Sequence, residues 1–278
     1  MAKGIGLIGN FRGKVGNMVG YNLKDSNNKQ PQGVRVYQPL VKHPKSYAQA
    51  VQRAKLAPIN ATYRALKMVI DRGQETKAYG NKSRLAWLSE AMKAFNGSWF
   101  EKGQVITLPA IVPLTDGQLS LPVAENLLKQ HISLPCATLN GEEKAVGDVS
   151  KKLLAAYPQF KDGDQITFVE VYGGDNGLTP NVGSFLIDSS SADAIPAGIT
   201  ILEESMAITP IGTNAAAAGS IILSRDGNGG THLRSKASLV RLKGYENVDP
   251  IDSNKEAAIK SYMSGGSNTD WAEESLQG

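Results

Sequence analysis

Gln165-Ile166-Thr167-Phe168-Val169-Glu170-Val171-Tyr172 is the stretch of sequence that decides the fold. Its β-branched and aromatic residues favour an extended chain, and the turn-forming run Lys161-Asp162-Gly163-Asp164 precedes it. The segment therefore predicts a buried β-strand. Further strands are predicted at residues 183–188, 198–202, 220–224 and 238–242, and residues 225–230 carry the Asp-Gly signal of a hairpin loop.

Outward from this strand, short strands and regular turn signals predict a β-rich domain over residues 103–246. We expect a small sandwich or a partly open barrel, with a β-like segment at 105–113 and a turn at 115–118. Helices are predicted at 122–132 and at 144–157, where Val149, Leu153 and Tyr157 are spaced by four. Residues 247–278 read as a polar, acidic C-terminal tail with a helical piece at 256–262.

Residues 46–102 predict a helical segment. Ser46 can cap a first helix that runs to about Leu56, and Pro58 either kinks it or opens the next helix. After Pro58, an apolar stripe has the spacing of one helix face: Ile59, Tyr63, Leu66, Ile70.

A second helix is predicted at residues 82–95, with Asn96-Gly97 as its stop signal. Its expected buried face is Leu85, Leu88, Met92 and Phe95. The two stripes predict a pair of helices that pack together.

Residues 1–45 predict a glycine-rich hairpin followed by a basic extended arm. The spacing Gly-x-x-Gly-Asn occurs twice, seven residues apart, and predicts a hairpin that turns near Arg12-Gly13-Lys14. Its glycines indicate either close approach to a neighbouring subunit or a kinked hairpin on its own core. The candidate assembly glycines are Gly6, Gly9, Gly13, Gly16 and Gly20. With the helical and β-rich segments, the expected fold class is α+β.

Charge is strongly segregated along the chain. Residues 1–100 contain 17 Lys and Arg against 4 Asp and Glu, whereas residues 101–278 contain 13 against 22. The basic part therefore meets either an acidic partner, such as nucleic acid bound without sequence preference, or the acidic part of this same protein. Six cations are the candidate contacts for phosphate or for an acidic partner: Arg12, Lys14, Arg35, Lys42, Lys45 and Arg53.

Motifs for catalysis or cofactor binding are weak. Gly4-x-Gly6-x-x-Gly9 matches a dinucleotide fingerprint only as a string, because no strand is predicted before it. His43, His131 and His232 lie far apart in sequence, and Cys136 is expected to be a small buried residue. The aspartates at 162, 164 and 226 are expected to form turns rather than a calcium loop. The sequence predicts a protein that is not an enzyme and has no catalytic, cofactor or metal site.

The single cysteine fits a reducing compartment, and no apolar stretch approaches the ~18 residues of a membrane helix. Residues 1–6 do not have the pattern of a signal peptide. We therefore expect an intracellular protein without a membrane partner.

Five segments of the chain resemble a known group of proteins. Residues 6–21, from Gly6-Leu7-Ile8-Gly9-Asn10 to Val19-Gly20-Tyr21, and the Gln/Arg-containing residues 46–53 are similar to the opening of an uncharacterised family of Bacteroidetes and their tailed, crAss-like bacteriophages. Residues 160–169, 221–225 and 233–235 are similar to the strand-rich C-terminal part of that family. Some members resemble virion components, and the resemblance implies no catalytic residues.

The function expected from the sequence is that of a structural phage protein that assembles as many copies in a ring of the head–tail connector or tail. Its partners would be identical subunits and other virion proteins, and it would be found in the virion and, during assembly, in the host cytoplasm. Two alternatives stay open: a nucleic-acid-binding protein that uses the basic first 100 residues, and a capsid-decorating or adhesion protein.

Overall fold

A computed structural model shows a chain of two compact units, Met1–Lys45 and Ser46–Gly278. The structure describes residues 13–15, 18–22, 32–36, 47–121, 130–174, 177–211, 216–227, 232–243 and 255–263. The expected fold class, α+β, is confirmed by its helices and antiparallel sheets.

The first unit contains a three-stranded antiparallel sheet. Strands β1 (Gly13–Val15), β2 (Met18–Asn22) and β3 (Gln32–Val36) lie in the order β1-β2-β3. Val15 pairs with Met18, and Gly13 pairs with Gly20. The hairpin therefore turns after Val15, and the turn expected at Arg12-Gly13-Lys14 was wrong: Gly13 and Lys14 are strand residues.

The second unit is built on a six-stranded antiparallel sheet. Its main path is β4-β11-β9-β6-β7, and β10 pairs with β9. The strands are β4 (Ile111–Thr115), β6 (Gln165–Gly174), β7 (Gly177–Leu186), β9 (Ala218–Asp226), β10 (His232–Arg234) and β11 (Ala237–Arg241). Among the described strands, β4 and β7 form the two edges of this sheet, so it does not close on itself.

Strand β6, predicted from its sequence, is buried on both faces. Ile166 and Phe168 face one apolar core, while Val169 and Val171 face a second core on the other side. All four side chains have no exposed surface. The near-continuous apolar run of this strand is typical of a strand covered on both sides.

A helical layer covers one face of the sheet. It contains α1 (Tyr47–Ala65), the short α2 (Lys67–Ile70) and α3 (Asn81–Ala94). The predicted stripe is confirmed at Ile59, Leu66 and Ile70, which are buried in the same core as Val169. The boundary expected at residue 102 thus separates two layers with a shared core, both within the second unit.

Helix α1 continues through Pro58, where the sequence predicted a kink or a new helix. A proline removes one i→i−4 hydrogen bond from a helix. Ala54, Pro58 and Thr62 recur every four residues and are all buried, so one side of an unbroken helix packs on the core. The Thr62 hydroxyl donates to the Pro58 carbonyl at 2.9 Å.

The buried face of α3 matches the expected one in part, because Phe95 is buried and Leu88 and Met92 pack against the same core. Leu85 is 56% exposed, whereas Ser83, Trp87 and Ala91 are buried. Two polar groups select this face, because the Ser83 hydroxyl donates to the Ile70 carbonyl at 2.7 Å and the Trp87 indole N–H donates to the Pro113 carbonyl at 2.7 Å. The predicted stop is confirmed at Gly97, whose φ is +86°.

A second layer covers the opposite face of the sheet. It contains β5 (Ser133–Asn140), α4 (Val146–Ala156) and β8 (Ile199–Ile208), and β5 pairs with β8. Helix α4 lies within the predicted helix, with Val149 and Leu153 buried. Strand β5 was not predicted, and residues 130–132 are not helical; residues 122–129 of the expected helix lie outside the described part.

Strand β8 folds back on itself. The Thr209 N–H donates to the Gly198 carbonyl at 3.0 Å, although ten extended residues would span about 33 Å. The reversal falls near Glu203 and Glu204, and Glu204 has a left-handed φ of +60°. Two exposed carboxylates therefore stand at the tip of this hairpin.

Helix α5 (Lys255–Met263) includes the predicted piece at 256–262 and packs against α1. Its Ala258 and Ile259 are buried. The rest of the expected C-terminal tail lies outside the described residues.

Trp87 should contribute more to stability than Leu85. Replacing Trp87 by phenylalanine leaves the Pro113 carbonyl without its donor, and we expect a loss of about 1–3 kcal/mol in the free energy of unfolding. Leu85→Ala on the same helix should change it by under ~0.5 kcal/mol, because the side chain is exposed. Urea denaturation measures both variants, and a larger loss for Leu85→Ala would contradict the observed face.

Candidate functional site

The sequence-predicted cations are only partly within the described residues. Arg53 is exposed on α1. Lys14 on β1 and Arg35 on β3 both pair with Val19 of the central strand β2. Arg12, Lys42 and Lys45 lie outside the described residues, so among the six candidates only Lys14 and Arg35 share a register position.

Of the predicted assembly glycines, Gly13 and Gly20 are direct partners in the β1–β2 ladder. Gly6, Gly9 and Gly16 lie outside the described residues. Backbones pair directly at this position, which is the close approach that glycine permits.

Arg64 belongs to the basic first 100 residues but not to the six candidate cations. It follows Arg53 by eleven residues, which is three turns of an α-helix, so both lie on the same side of α1. Both are exposed. Arg64 also lines a cavity of about 260 Å³ between α1 and the start of β7, with Ala61, Ala65, Gly177, Leu178 and Pro180.

Charge in the second unit is divided by layer. We call residues 46–100 the basic layer, because they carry 9 Lys and Arg against 3 Asp and Glu. We call residues 130–163 and 187–211 the acidic layer, because they carry 4 Lys and Arg against 8 Asp and Glu. The two layers pack on opposite faces of the central sheet. The second unit therefore presents opposite charges on opposite sides.

A buried carboxylate lies on the acidic-layer face of β6. The Glu170 side chain is fully buried; its Oε1 accepts the Ile132 N–H and its Oε2 accepts the Tyr172 hydroxyl, both at 2.8 Å. His131 Nδ1 lies 3.4 Å from Oε1, and its side chain is partly exposed. Burial, followed by the hydrogen bond to Glu170, raises the pKa of Tyr172 to about 12.

This cluster fixes backbone position. Both carboxylate oxygens of Glu170 are engaged, and its hydrogen bond to Ile132 ties the start of β5 to strand β6. The sequence could have signalled it, because Glu170 falls on the same side of the strand as Ile166 and Phe168. A charged residue at an inward position predicts a buried hydrogen-bonded group.

The aspartates that were considered as calcium ligands have other partners. Asp164 is buried and forms a bidentate pair with Arg225, with distances of 2.6 and 2.7 Å. Asp162 accepts from Ser189, and Asp226 lies 2.6 Å from His232 Nδ1. The hydrogen bond to Asp164 raises the pKa of Arg225. Among the described residues, no group of three or more His, Cys, Asp and Glu side chains is placed to hold a metal ion.

Cys136 is buried, as expected, and its sulfur contacts the Thr138 hydroxyl and the Lys152 carbonyl. His43 lies outside the described residues, while His131 and His232 face Glu170 and Asp226. Thus each described histidine has a carboxylate neighbour.

Comparison of the chain with protein-family models, curated proteins and solved structures finds no match. None of the described helices is both long and apolar enough to span a bilayer.

Loss of the Tyr172 phenol should change how stability depends on pH. The pKa of Tyr172 is about 12 in the folded chain and roughly 10 when unfolded, so the folded state holds this proton more tightly. The resulting stability is present below about pH 10 and is lost as the pH rises towards 12. We expect wild-type stability to fall more steeply across this window than that of Tyr172→Phe, measured by urea unfolding.

The exposed Tyr79 provides the control. Tyr79→Phe should keep the steep wild-type fall. Equal slopes for wild type and Tyr172→Phe would contradict the assigned hydrogen bond.

Proposed function

We propose that this protein is a non-enzymatic structural component of a tailed phage particle, in which many copies assemble as a ring in the head–tail connector or tail. The observation that carries the proposal is the opposite charge of the two layers of the second unit. The basic layer of one copy fits the acidic layer of the next, which is a heterologous contact that closes into a ring when the rotation allows. The phage context rests on the resemblance at residues 6–21 and 46–53.

The first unit supports an assembly role. At 45 residues it is close to the size below which a chain usually needs a disulfide, a metal or a partner to be stable. The only cysteine of the protein is Cys136, which belongs to the second unit. Residues 1–45 also carry 8 Lys and Arg against 1 Asp. A small basic sheet of this kind gains stability by binding an acidic surface on assembly.

A charge exchange tests the head-to-tail contact. Arg53→Glu with Arg64→Glu reverses part of the basic layer, and Glu203→Lys with Glu204→Lys reverses the tip of β8 in the acidic layer. Each double variant should lose low-salt oligomers on its own, because like charges then face each other. An equimolar mixture should regain them, since each reversed face meets its complement.

Light scattering at low ionic strength measures this, and salt should dissolve the wild-type oligomers as charges are screened. Lys236→Glu with Lys243→Glu, at exposed positions outside both layers, provides a control with the same change in charge as Arg53→Glu with Arg64→Glu. A wild-type chain that stays monomeric at low salt and is absent from purified phage particles would refute the proposal.

A second candidate function is nonspecific nucleic-acid binding by the exposed side of α1, which Arg53 and Arg64 favour. If both contact phosphates, the logarithm of the affinity should fall with the logarithm of salt by about 0.9 per contact. Arg53→Gln with Arg64→Gln should then reduce that slope by roughly two, as measured by fluorescence anisotropy with duplex DNA. An unchanged slope for the double variant would exclude this function of α1.

A further inference from the structure

The outer edge of β7 is open for pairing. The Ile187 N–H donates to the Asp164 carbonyl, and the Ala217 N–H donates to the Val171 carbonyl. In β6, even-numbered residues therefore direct their backbone groups towards β7, and odd-numbered residues direct theirs towards β9. With the observed register, Asn181, Gly183 and Phe185 turn their backbone groups towards β6. Val182, Ser184 and Leu186 therefore turn theirs outward. In the part of the chain that the structure describes, their outward N–H groups have no hydrogen-bond partner.

This edge lacks the usual protection against pairing. Natural edge strands are commonly guarded by charged side chains, prolines or bulges. Here Pro180 guards one end, but the next six residues, 181–186, carry no charge. Val182 and Leu186 are 48% and 53% exposed, so the open edge is also apolar.

The other edge of the same sheet is closed. In β4, Pro113 has no N–H, and its carbonyl accepts the Trp87 indole N–H. Asp116, just after β4, accepts from Glu75 and donates to the Gly73 carbonyl at 3.0 and 2.9 Å. Protection at one edge only indicates that the edge at β7 has a partner.

The part of β7 that can pair with another strand is symmetric about Ser184. Pro180, which cannot donate, lies four residues before Ser184, and Asp188, which follows the strand, lies four residues after it. Because the outward residues are two apart, an antiparallel copy centred on Ser184 places every outward N–H opposite an outward carbonyl.

We propose that β7 pairs antiparallel with β7 of a second copy about a two-fold axis at Ser184. Val182 then lies opposite the partner subunit's Leu186, and the two central sheets become continuous through about six hydrogen bonds. Such isologous contacts are typical of two-fold dimers.

Charge favours a second copy as the occupant. Arg64 lies beside Pro180 at one end of the strand. Along the central stretch, Gln165 lies opposite Leu186 and Thr167 lies opposite Ser184, so this stretch offers no cation for nucleic acid and no charge that would repel a copy. The nearest carboxylate, Asp188, falls opposite the partner subunit's Pro180, so the two Asp188 side chains do not face each other. An uncharged strand with apolar side chains is complementary to an identical copy of itself.

The two-fold contact goes beyond the proposed function and is separate from the head-to-tail contact. Backbone hydrogen bonds and apolar pairs do not depend on salt, whereas the contact between charged layers does. At about 1 M salt, where the Debye length is ~3 Å, only the β7 contact remains. Failure of one contact can therefore be distinguished from failure of the other.

Sedimentation of the full chain at about 1 M salt tests the proposal. We expect a concentration-dependent dimer of twice 29.6 kDa. Leu186→Lys should raise its dissociation constant about 100-fold, because two apolar pairs are lost and each edge gains a charge. Ile111→Lys is the matched control, since Ile111 is equally exposed, at 59%, on the protected edge strand.

Circular dichroism confirms that both variants fold. A wild-type chain that stays monomeric at about 0.1 mM would overturn the proposal. Its dissociation constant would then exceed that of a micromolar dimer by about 100-fold or more. Equal weakening by Ile111→Lys would also overturn it.

A cysteine at the axis tests the register. Ser184→Cys places two thiols about 5.5 Å apart at the Cα atoms, within disulfide range, so mild oxidation should yield a covalent dimer. Thr179→Cys, five residues from the axis on the same exposed strand, should not. Cross-linking by Thr179→Cys, or none by Ser184→Cys in a dimer, would overturn the proposed register.

Discussion

The second unit depends on one strand that has no solvent face. Strand β6 buries Ile166 and Phe168 on one side and Val169 and Val171 on the other. Each such side chain contributes about 1.5–3 kcal/mol of hydrophobic stabilisation. Because the helical layer and the β5–α4–β8 layer pack against the same strand, neither layer can bury its apolar face without it.

Glu170 makes this strand specific as well as stable. A buried, unpaired carboxylate costs several kcal/mol, and here the Ile132 N–H and the Tyr172 hydroxyl offset that cost. A shift of β5 by one residue would move the Ile132 N–H away from the carboxylate. The cluster therefore selects one placement of the second layer on the sheet, where apolar contacts alone would tolerate several.

The local sequence pattern predicted those helices and strands whose buried residues follow directly from neighbouring positions in the chain. The run of β-branched and aromatic residues in β6, the four-residue spacing in α4 and the stripe from Ile59 to Ile70 all needed no knowledge of distant residues. The buried face of helix α3 was predicted only in part, because Leu85 and Trp87 both fit the helical period. Trp87 was selected over Leu85 by a carbonyl 26 residues away, at Pro113, which no local pattern contains.

Other elements were missed because their residues are not typical of the structure they adopt. Pro135 argues against a strand in the middle of β5, although an edge position tolerates it. The reversal in β8 occurs at Glu203-Glu204, without the glycine, asparagine or proline that normally signals a turn. Of the candidate site, the basic bias of the first 100 residues could be predicted, but the side of α1 shared by Arg53 and Arg64 depended on the helix continuing through Pro58.

The layer order explains why the charge asymmetry is not cancelled within the second unit. The basic layer comes first in the chain and packs on one face of the sheet, while the acidic layer packs on the other. Packed layers are about 10 Å apart, so the two charged layers are separated by roughly 20 Å across the sheet. Two exposed unit charges at that distance interact by only about 0.2 kcal/mol in water, so the layers interact weakly inside one copy. Their complementary charges therefore stay available for contacts outside the second unit.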